Sequence, residues 1–455
     1  MNSSDRSRLL QWFAQLSIIT LICVSVTAPA IILTQTLPFF KVEQLLLPFV
    51  FLFYAWFLLS GIARPIRWNP MLLVGLLYCF CNVVSIWYGA ELLGHTVLLR
   101  DFYELPKVWL PVAFFIVAYE VELSETSLRR LVNLFSLAIL AVCLYAWAQF
   151  VGLGFSYKLN SYYSSGGHID LALQHAGRVY GTMGNPNVLG QLMTWCVVLF
   201  VLAALYRVGK WWWSVLTASA CLVTLAMTGS RFGLITVVIG ILLILGFVTT
   251  SRRRSLAQIS FLLLLVPAMA WTYQAVAKSN PRTLERYQTL RDPLRIDSLR
   301  QRLDDLWQDQ WEDFTKSPVV GHGPAKALDR LGYSDSEYLA VLKEKGILGL
   351  VVFLGYYLYP LNLLRKGHRA VSLSGNALLM NSPATVLTIH FGLILVMLAL
   401  FANIPMATFY TPFLQGFLWL WLGVGARSAA TAQSLLPVQY VPLDTAQDSQ
   451  PGVNP

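Results

Sequence analysis

The chain has 455 residues, of which 56% are hydrophobic and only 12% charged, and its formal net charge is +10. Soluble chains carry about 25% charged residues, so this composition excludes an ordinary soluble globular protein. A bilayer accommodates such a chain because lipid replaces water around the outward-facing apolar side chains. The positive charge does not indicate a nucleic-acid partner, because the basic residues lie in loops between apolar runs and not in a basic-aromatic module.

Apolar runs recur about twelve times along the chain, and most approach the length of about 20 residues that crosses a bilayer, whereas the fourth is short. They cover residues 14–33, 44–62, 70–89, 108–119, 131–153, 188–206, 211–228, 232–250, 256–275, 346–363, 384–402 and 411–425. The six cysteines all lie inside these runs without a CxxC pair, so we expect small buried side chains and neither a disulfide framework nor a metal site. The pattern predicts an all-α polytopic membrane protein.

The basic residues of the short connections predict the orientation of the spans. Alternate connections contain clusters of positive charge, and positively charged loops stay in the cytoplasm. These clusters are Arg6 and Arg8, Arg64 and Arg67, Arg129 and Arg130, Arg207 and Lys210, Arg252 to Arg254, and Arg365, Lys366 and Arg369. We therefore expect a bacterial inner (plasma) membrane protein with both termini in the cytoplasm.

This topology divides the chain into four parts. Residues 1–275 hold the first nine spans, and residues 276–345 form a large periplasmic loop with short amphipathic helices. Residues 346–425 hold the last three spans, and residues 426–455 form a polar, disordered cytoplasmic tail. Charged residues are absent from the middle of the spans, where His390 is the clear titratable group, either a hydrogen-bonded packing residue or a relay. The chemistry is therefore expected at the outer membrane surface.

The first outer motif is GNPN at 184–187, at the start of the sixth span. Asn185 is a good helix N-cap and Pro186 suits the first helical turn, which is a sufficient structural reason for the motif. The functional alternative is that the amides of Asn185 and Asn187 bind sugar hydroxyls.

The second motif is TGSR at 228–231, in a very short turn between the seventh and eighth spans. Ser230 can cap the eighth helix, whose first amides and dipole favour an anion. Arg231 adds a forked array of donors suited to phosphate oxygens, as a membrane-linked pyrophosphate requires. The alternative is an interfacial arginine that contacts lipid headgroups.

The large loop combines a basic stretch with an amphipathic one. Its arginines are Arg282, Arg286, Arg291, Arg295, Arg300 and Arg302. Ser298 and Gln301 match a capping box, apolar residues follow at helical spacing as far as Phe314, and Pro318 ends the run. We predict a helix on the membrane surface, and we expect the arginine-rich stretch that precedes it to attract an anionic substrate. The alternative is a solvated basic face near anionic lipid.

Candidate proton acceptors follow this helix. Ser334 and Glu337 match another capping box, in which Asp335 is simply part of the cap. Alternatively, Asp335 is a general base, because an acceptor hydroxyl needs a carboxylate or imidazole to take its proton. Glu337 and His322 are the alternative candidates for this base.

Taken together, the motifs resemble the O-antigen ligase and polymerase family of bacterial envelope glycan enzymes. The matching segments, in chain order, are GNPN at 184–187, TGSR at 228–231, RLDDLW at 302–307, SPVVGHGP at 317–324 and DSEYLAVLKEKGILGL at 335–350. The span count and the large outer loop also look like that family.

The resemblance implies a membrane-embedded glycosyltransferase fold without a metal or other cofactor. The donor would be a glycan on undecaprenyl pyrophosphate, which is transferred to a sugar hydroxyl of a glycan acceptor. Arg231 matches the family arginine thought to hold the pyrophosphate, and Arg302 matches a second basic residue of the loop. Arg178 and Arg300 are further candidates for substrate binding. Besides lipid, the partners considered are a chain-length regulator and a flippase.

This chain departs from the ligases of the family at one position. They have a histidine, usually followed by asparagine, where this chain has Asp335 and Ser336. An aspartate with its ordinary pKa of about 3.9 is a weaker base than histidine. The departure favours a polysaccharide polymerase, with a ligase as the alternative. A solute or inorganic-carbon transporter is the second alternative.

Overall fold

The computed structural model describes residues 3–31, 40–59, 68–163, 177–247, 301–325, 336–374, 381–406 and 411–435, together with residues 267, 270–271, 274–276, 278 and 378. The helices are α1 (Ser3–Thr27), α2 (Val42–Leu59), α3 (Pro70–Glu91), α4 (Leu99–Phe102), α5 (Glu104–Glu120), α6 (Glu125–Val151), α7 (Gly154–Tyr163), α8 (Pro186–Leu205), α9 (Trp211–Thr228), α10 (Arg231–Phe247), α11 (Trp307–Lys316), α12 (Glu337–Leu373), α13 (Pro383–Ala402) and α14 (Pro412–Ser434). A π-helical turn, Gln301–Leu306, precedes α11, and β1 (Ala30–Ile31) pairs antiparallel with β2 (Phe40–Lys41).

The helices confirm a polytopic membrane protein. Within the described residues, eight helices are long and apolar enough to cross a bilayer. They are Arg8–Thr27, Pro70–Glu91, Leu99–Glu120, Glu125–Val151, Pro186–Leu205, Trp211–Thr228, Glu337–Leu373 and Pro383–Ala402, and two shorter apolar helices cover Val42–Trp56 and Arg231–Phe247. The predicted ninth span, 256–275, lies mostly outside the described residues, and each of the other predicted spans overlaps a helix.

Several predicted boundaries shift for local reasons. Helix α1 ends at Thr27 and not at residue 33, because the residue before Pro29 is biased away from helical backbone angles. Helix α5 begins at Glu104, ahead of the predicted start at residue 108. Helix α11 ends at Lys316, just before Pro318, as predicted.

The interior of the bundle is built on α8, α13 and α14. A helix that is apolar on all sides has to be surrounded by other elements, and nearly every side chain of α8 and α13 is buried. Helix α8 packs against α9 and α10, whereas α14 packs against α5, α12 and α13. Aromatic contacts cross this core: Trp195 of α8 stacks on Phe417 of α14 with ring centres 5.7 Å apart. The central helices therefore fix the positions of the helix ends around them.

Glycines allow α14 to approach its neighbours closely. A Cβ atom added at Gly423 would lie 2.5 Å from the carbonyl oxygen of Phe115 and 2.7 Å from the Cβ of Ala118, both in α5. A Cβ at Gly425 would lie 2.8 Å from the carbonyl oxygen of Thr388 in α13. Small residues at such contacts permit the backbone approach on which helix association in membranes depends.

We expect Gly423→Leu to destabilise the bundle, because the new side chain would push α14 away from α5. Overpacking of this kind costs about 1–3 kcal/mol. The thermal midpoint of the purified protein in detergent measures the effect. Gly246→Leu is the matched control, because Gly246 of α10 is exposed and has no neighbouring atom within 4 Å of an added Cβ. Equal midpoints for the two variants would contradict the close approach.

Candidate functional site

Three segments meet at one end of the bundle, here called the site end. It is the end at which α8 begins, α9 ends and α10 begins, and the loop 177–185 leads into it. Gly229 forms the turn from α9 to α10 with a left-handed backbone (φ 61°), a conformation that glycine adopts without steric cost. The turn is so short that the first residue of α10, Arg231, follows the last residue of α9 by three positions.

Arg178 joins these segments. Its side chain is only 9% exposed. Its Nε donates to the carbonyl oxygen of Thr228 at 2.7 Å, and its Nη2 donates to Oδ1 of Asn187 at 2.6 Å. A Cβ at Gly229 would lie 3.4 Å from Nε of Arg178, so the glycine also leaves room for the guanidinium. The arginine thus links the loop to the GNPN and TGSR motifs.

The first turns of α8 and α10 lie side by side at the site end. Asn185 caps α8 by accepting the N–H of Asn187 at 2.8 Å, and both asparagines are exposed. Ser230 is buried and caps α10, with its Oγ accepting the N–H of Gly233 at 3.2 Å. A Cβ at Gly190 would lie 2.7 Å from the Cβ of Ser230, which shows how closely the two helices approach. The predicted caps of both helices are therefore confirmed.

The site end therefore concentrates positive potential. The N-termini of α8 and α10 contribute the positive ends of their helix dipoles. Arg231, the first residue of α10, is half-buried and adds a full charge at that terminus. Arg178 supplies a second guanidinium beside the same helix ends. Such an arrangement is suited to an anion with several oxygens, such as a pyrophosphate.

The SPVVGHGP motif holds a break in α12. Gly346 has φ 63° and ψ −165°, which separates the first turns of α12 from its long membrane segment. Backbone hydrogen bonds from the motif support the break: the N–H of His322 donates to Lys343 O at 2.9 Å, and that of Gly323 donates to Glu344 O at 2.8 Å. The motif therefore fixes the end of the first segment of α12, next to the break at Gly346.

Both ring nitrogens of His322 already have partners. Nε2 lies 2.7 Å from the carbonyl oxygen of Asp313, which only accepts, so Nε2 carries the proton. Nδ1 then accepts from Nε2 of His95 at 3.2 Å, and the two rings stack with centres 5.5 Å apart. His322 could take a further proton only by losing the hydrogen bond from His95. This makes His322 a less favourable proton acceptor than the sequence suggested.

The predicted capping box of Ser334 and Glu337 is wrong. The N-cap of α12 is Ser336, whose side chain accepts the N–H of Leu339, so Glu337 is the first helical residue and not the third. Glu337 is fully buried, and its N–H donates to the carbonyl oxygen of Asn403 at 2.9 Å. Ser336, directly before the helix, therefore supplies the N-cap that was expected from Ser334.

Of the remaining predicted residues, Arg302 and His390 lie within the described part of the chain, whereas Asp335 and Arg300 do not. Arg302 is half-buried in the π-helical turn that precedes α11. Asp335 and Arg300 lie outside the described residues, so their roles stay predictions. His390 is hydrogen-bonded inside the bundle to Tyr206 and, at 2.9 Å, to His368.

Two residues of the site were not among the predictions. His95 contacts a residue 227 positions away and follows α3 in a loop without a motif, so no local pattern indicates it. Gln149 accepts the N–H of Gly181 at 2.9 Å and so holds the loop that carries Arg178. A polar side chain late in the apolar run 131–153 was the signal that could have identified Gln149.

We expect the protein to lose stability as the pH is lowered, in part because His95 takes up a proton more readily in the unfolded chain. Burial, followed by the neighbouring His322, lowers the pKa of His95 below its ordinary value. The unfolded chain therefore takes up this proton first. The stabilisation is present above about pH 6.5 and is lost as the pH falls through the lowered folded value. His95→Gln should flatten the dependence of the thermal midpoint on pH between about pH 7.5 and about pH 5. The same slope in the variant and the wild type would contradict this.

Comparison with known proteins identifies the family of this segment. Residues 216–354 match a family model described as O-antigen ligase. The match runs from α9 into α12 and contains the TGSR, RLDDLW and SPVVGHGP motifs, whereas GNPN precedes it. A search of curated proteins found no match. The chain thus carries an O-antigen ligase family domain over residues 216–354, which confirms the resemblance to the O-antigen ligase and polymerase family that its motifs predicted.

Proposed function

We propose that the protein transfers a glycan from a lipid pyrophosphate to a sugar hydroxyl at the site end. We further propose that it polymerises undecaprenyl-pyrophosphate-linked repeat units into surface polysaccharide, at the periplasmic face of the bacterial inner membrane. The observation that carries the proposal is the convergence of Arg178 and Arg231 with the N-termini of α8 and α10. Fixed charges and helix ends of this kind bind the oxygens of a diphosphate.

The proposed reaction is a displacement at the anomeric carbon. The acceptor oxygen forms the new glycosidic bond, the bond from the anomeric carbon to the pyrophosphate oxygen breaks, and the leaving pyrophosphate takes the electron pair. Arg178 and Arg231 stabilise the negative charge that develops on it, and no metal is needed in this scheme. The exposed amides of Asn185 and Asn187 hold sugar hydroxyls beside them.

The proton of the acceptor hydroxyl passes to a carboxylate in the proposed scheme. Asp335 is the proposed base, one residue before the Ser336 cap of α12. Glu337 is the second candidate, and His322 is the least favoured because its Nδ1 already accepts a hydrogen bond from His95. Burial would raise the pKa of an aspartate toward the range in which it acts as a base.

A polymerase is preferred over a ligase because of the residues at 335 and 336. The ligases of the family have histidine where this chain has Asp335, and this departure fits the polymerase branch of the family better. A ligase that moves finished glycan to an acceptor such as lipid A–core is the alternative. A gradient-driven transporter is less supported, because the predicted spans lack mid-span carboxylates and basic residues.

Purified protein with a lipid-linked repeat unit tests the proposed reaction. A polymerase is expected to produce a ladder of longer lipid-linked glycans without a separate acceptor. A ligase is expected to give no ladder and to release lipid pyrophosphate only when an acceptor glycolipid is added. Absence of both products, from protein that is folded and monodisperse, would contradict glycan transfer.

We expect Arg231→Ala to reduce the rate of transfer by about 10²–10³-fold, because a fixed cation no longer stabilises the leaving pyrophosphate. Arg231→Lys should be affected less than Arg231→Ala, since it keeps the charge but loses the forked geometry. Arg365→Ala, at an exposed position of α12, is the control and should leave the rate unchanged. A fully active Arg231→Ala protein would remove the pyrophosphate site from the proposal.

A further inference from the structure

An apolar groove opens beside the site end. It has a volume of about 370 Å³ and lies between the end of α1, the second half of α6 and helix α7. Its walls include Thr27, Leu144, Phe155, Leu159 and Thr182. Leu144 is 60% exposed and Phe155 is 53% exposed, so the groove is open along the outside of the bundle. Helix α7 covers one side of the groove, and Tyr163 of α7 donates to the carbonyl oxygen of Thr27 at 3.0 Å.

The groove is continuous with the loop that carries Arg178. Thr182 forms part of its wall and lies four positions after Arg178 in that loop. The Oγ1 of Thr182 donates to the carbonyl oxygen of Val26 at 2.6 Å, which fixes the loop against the end of α1. One end of the groove therefore lies at the loop that carries Arg178.

Hydrogen bonds hold the groove wall and the loop in a fixed relation. Gln149 of α6 accepts the N–H of Gly181 at 2.9 Å, and its Nε2 donates to Oδ1 of Asn160 in α7 at 3.0 Å. The hydroxyl of Tyr145, in the groove wall, donates to the same oxygen at 2.9 Å. A ligand that occupied both the groove and the cationic site would meet a preformed, rigid surface.

We propose that this groove holds the first isoprene units of the lipid carrier of the donor, whose pyrophosphate lies at Arg178 and Arg231. This inference rests on the proposed function and assigns the site of the apolar part of the donor. The occupant follows from charge and continuity: one apolar chain leaves a site suited to a diphosphate. A groove of this kind gives little hydrophobic gain, because lipid tails solvate the chain equally well. Its effect is to orient the chain and so place the pyrophosphate.

A tryptophan that fills the groove tests the assignment. In Leu144→Trp the indole would occupy the space of the chain, and the lipid-exposed position tolerates its size. Leu137→Trp is the matched control, two turns earlier on the same face of α6, 52% exposed and outside the groove wall. Each protein is assayed with the repeat unit on undecaprenyl pyrophosphate and on a short donor, a water-soluble pyrophosphate that carries a methyl group in place of the prenyl chain.

We expect Leu144→Trp to raise the KM for the undecaprenyl donor by about tenfold and to leave the KM for the short donor unchanged. Leu137→Trp should change neither value. An unchanged KM for both donors in Leu144→Trp would overturn the assignment. An equal rise for both donors would also overturn it, because the substitution would then act on a part of the donor other than its prenyl chain. Arg231→Ala should lose activity with both donors. A failure of the proposed function is seen separately, as the absence of product from the wild-type protein with either donor, whereas retained activity in Arg231→Ala removes only the pyrophosphate site.

Photo-crosslinking separates the carrier from an ordinary phospholipid. A photoreactive undecaprenyl pyrophosphate should label the groove wall at α7, and Leu144→Trp should abolish the labelling. Labelling of the same peptide by a photoreactive two-chain phospholipid with equal efficiency would overturn the assignment to the carrier.

Discussion

The guanidinium of Arg178 is the interaction on which the arrangement of the site end depends. It reaches from the loop 177–185 to the last residue of α9 and to the first turn of α8. The carbonyl of Thr228 lies at the negative end of the dipole of α9, so a buried cation there is stabilised by the helix as well as by the hydrogen bonds. Arg178 thus ties the loop 177–185 to the GNPN and TGSR motifs, whose helices already pack against each other.

The bilayer explains why the chemistry is concentrated at this end. Within hydrocarbon every backbone polar group has to be satisfied inside its own helix, so the spans are regular and apolar. Irregular backbone and charged side chains then gather where helices begin and end. At the site end this gives two capped N-termini and a left-handed glycine at the α9–α10 turn. Next to them, the open groove along α6 and α7 allows a lipid substrate to remain in the membrane while its headgroup meets the cations.

The sequence predicted the features that depend on local chemistry or on the thickness of the bilayer. The spans follow from hydropathy, because a helix needs a fixed length of apolar residues to cross the membrane. The caps by Asn185 and Ser230 follow from the first residues of the helices they precede. The capping box assigned to Ser334 failed because Ser336, closer to the helix, supplied the cap. Two serines in one short segment cannot be ranked by pattern alone.

Tertiary contacts at the site could not be predicted in this way. The sequence indicated Arg178 as a candidate for substrate binding but not its hydrogen bonds to Thr228 and Asn187. Hydrophobic periodicity does not show which distant segments of the chain lie next to each other. The pairing of His95 with His322 likewise depends on how α3 packs against α12. That pairing makes His322 a weaker candidate for the general base, because both nitrogens of its ring already take part in hydrogen bonds.

The most direct measurement replaces the gene in its host by an Arg178→Gln variant and sizes the glycans that remain on the lipid carrier, at an equal level of membrane-inserted protein. Single repeat units are expected to accumulate on the lipid and long chains to disappear, because the cationic site that holds the donor has lost a charge and a fixed contact. Long chains stranded on the carrier would point to a ligase instead. Glycans unchanged in size, amount and destination would contradict the account.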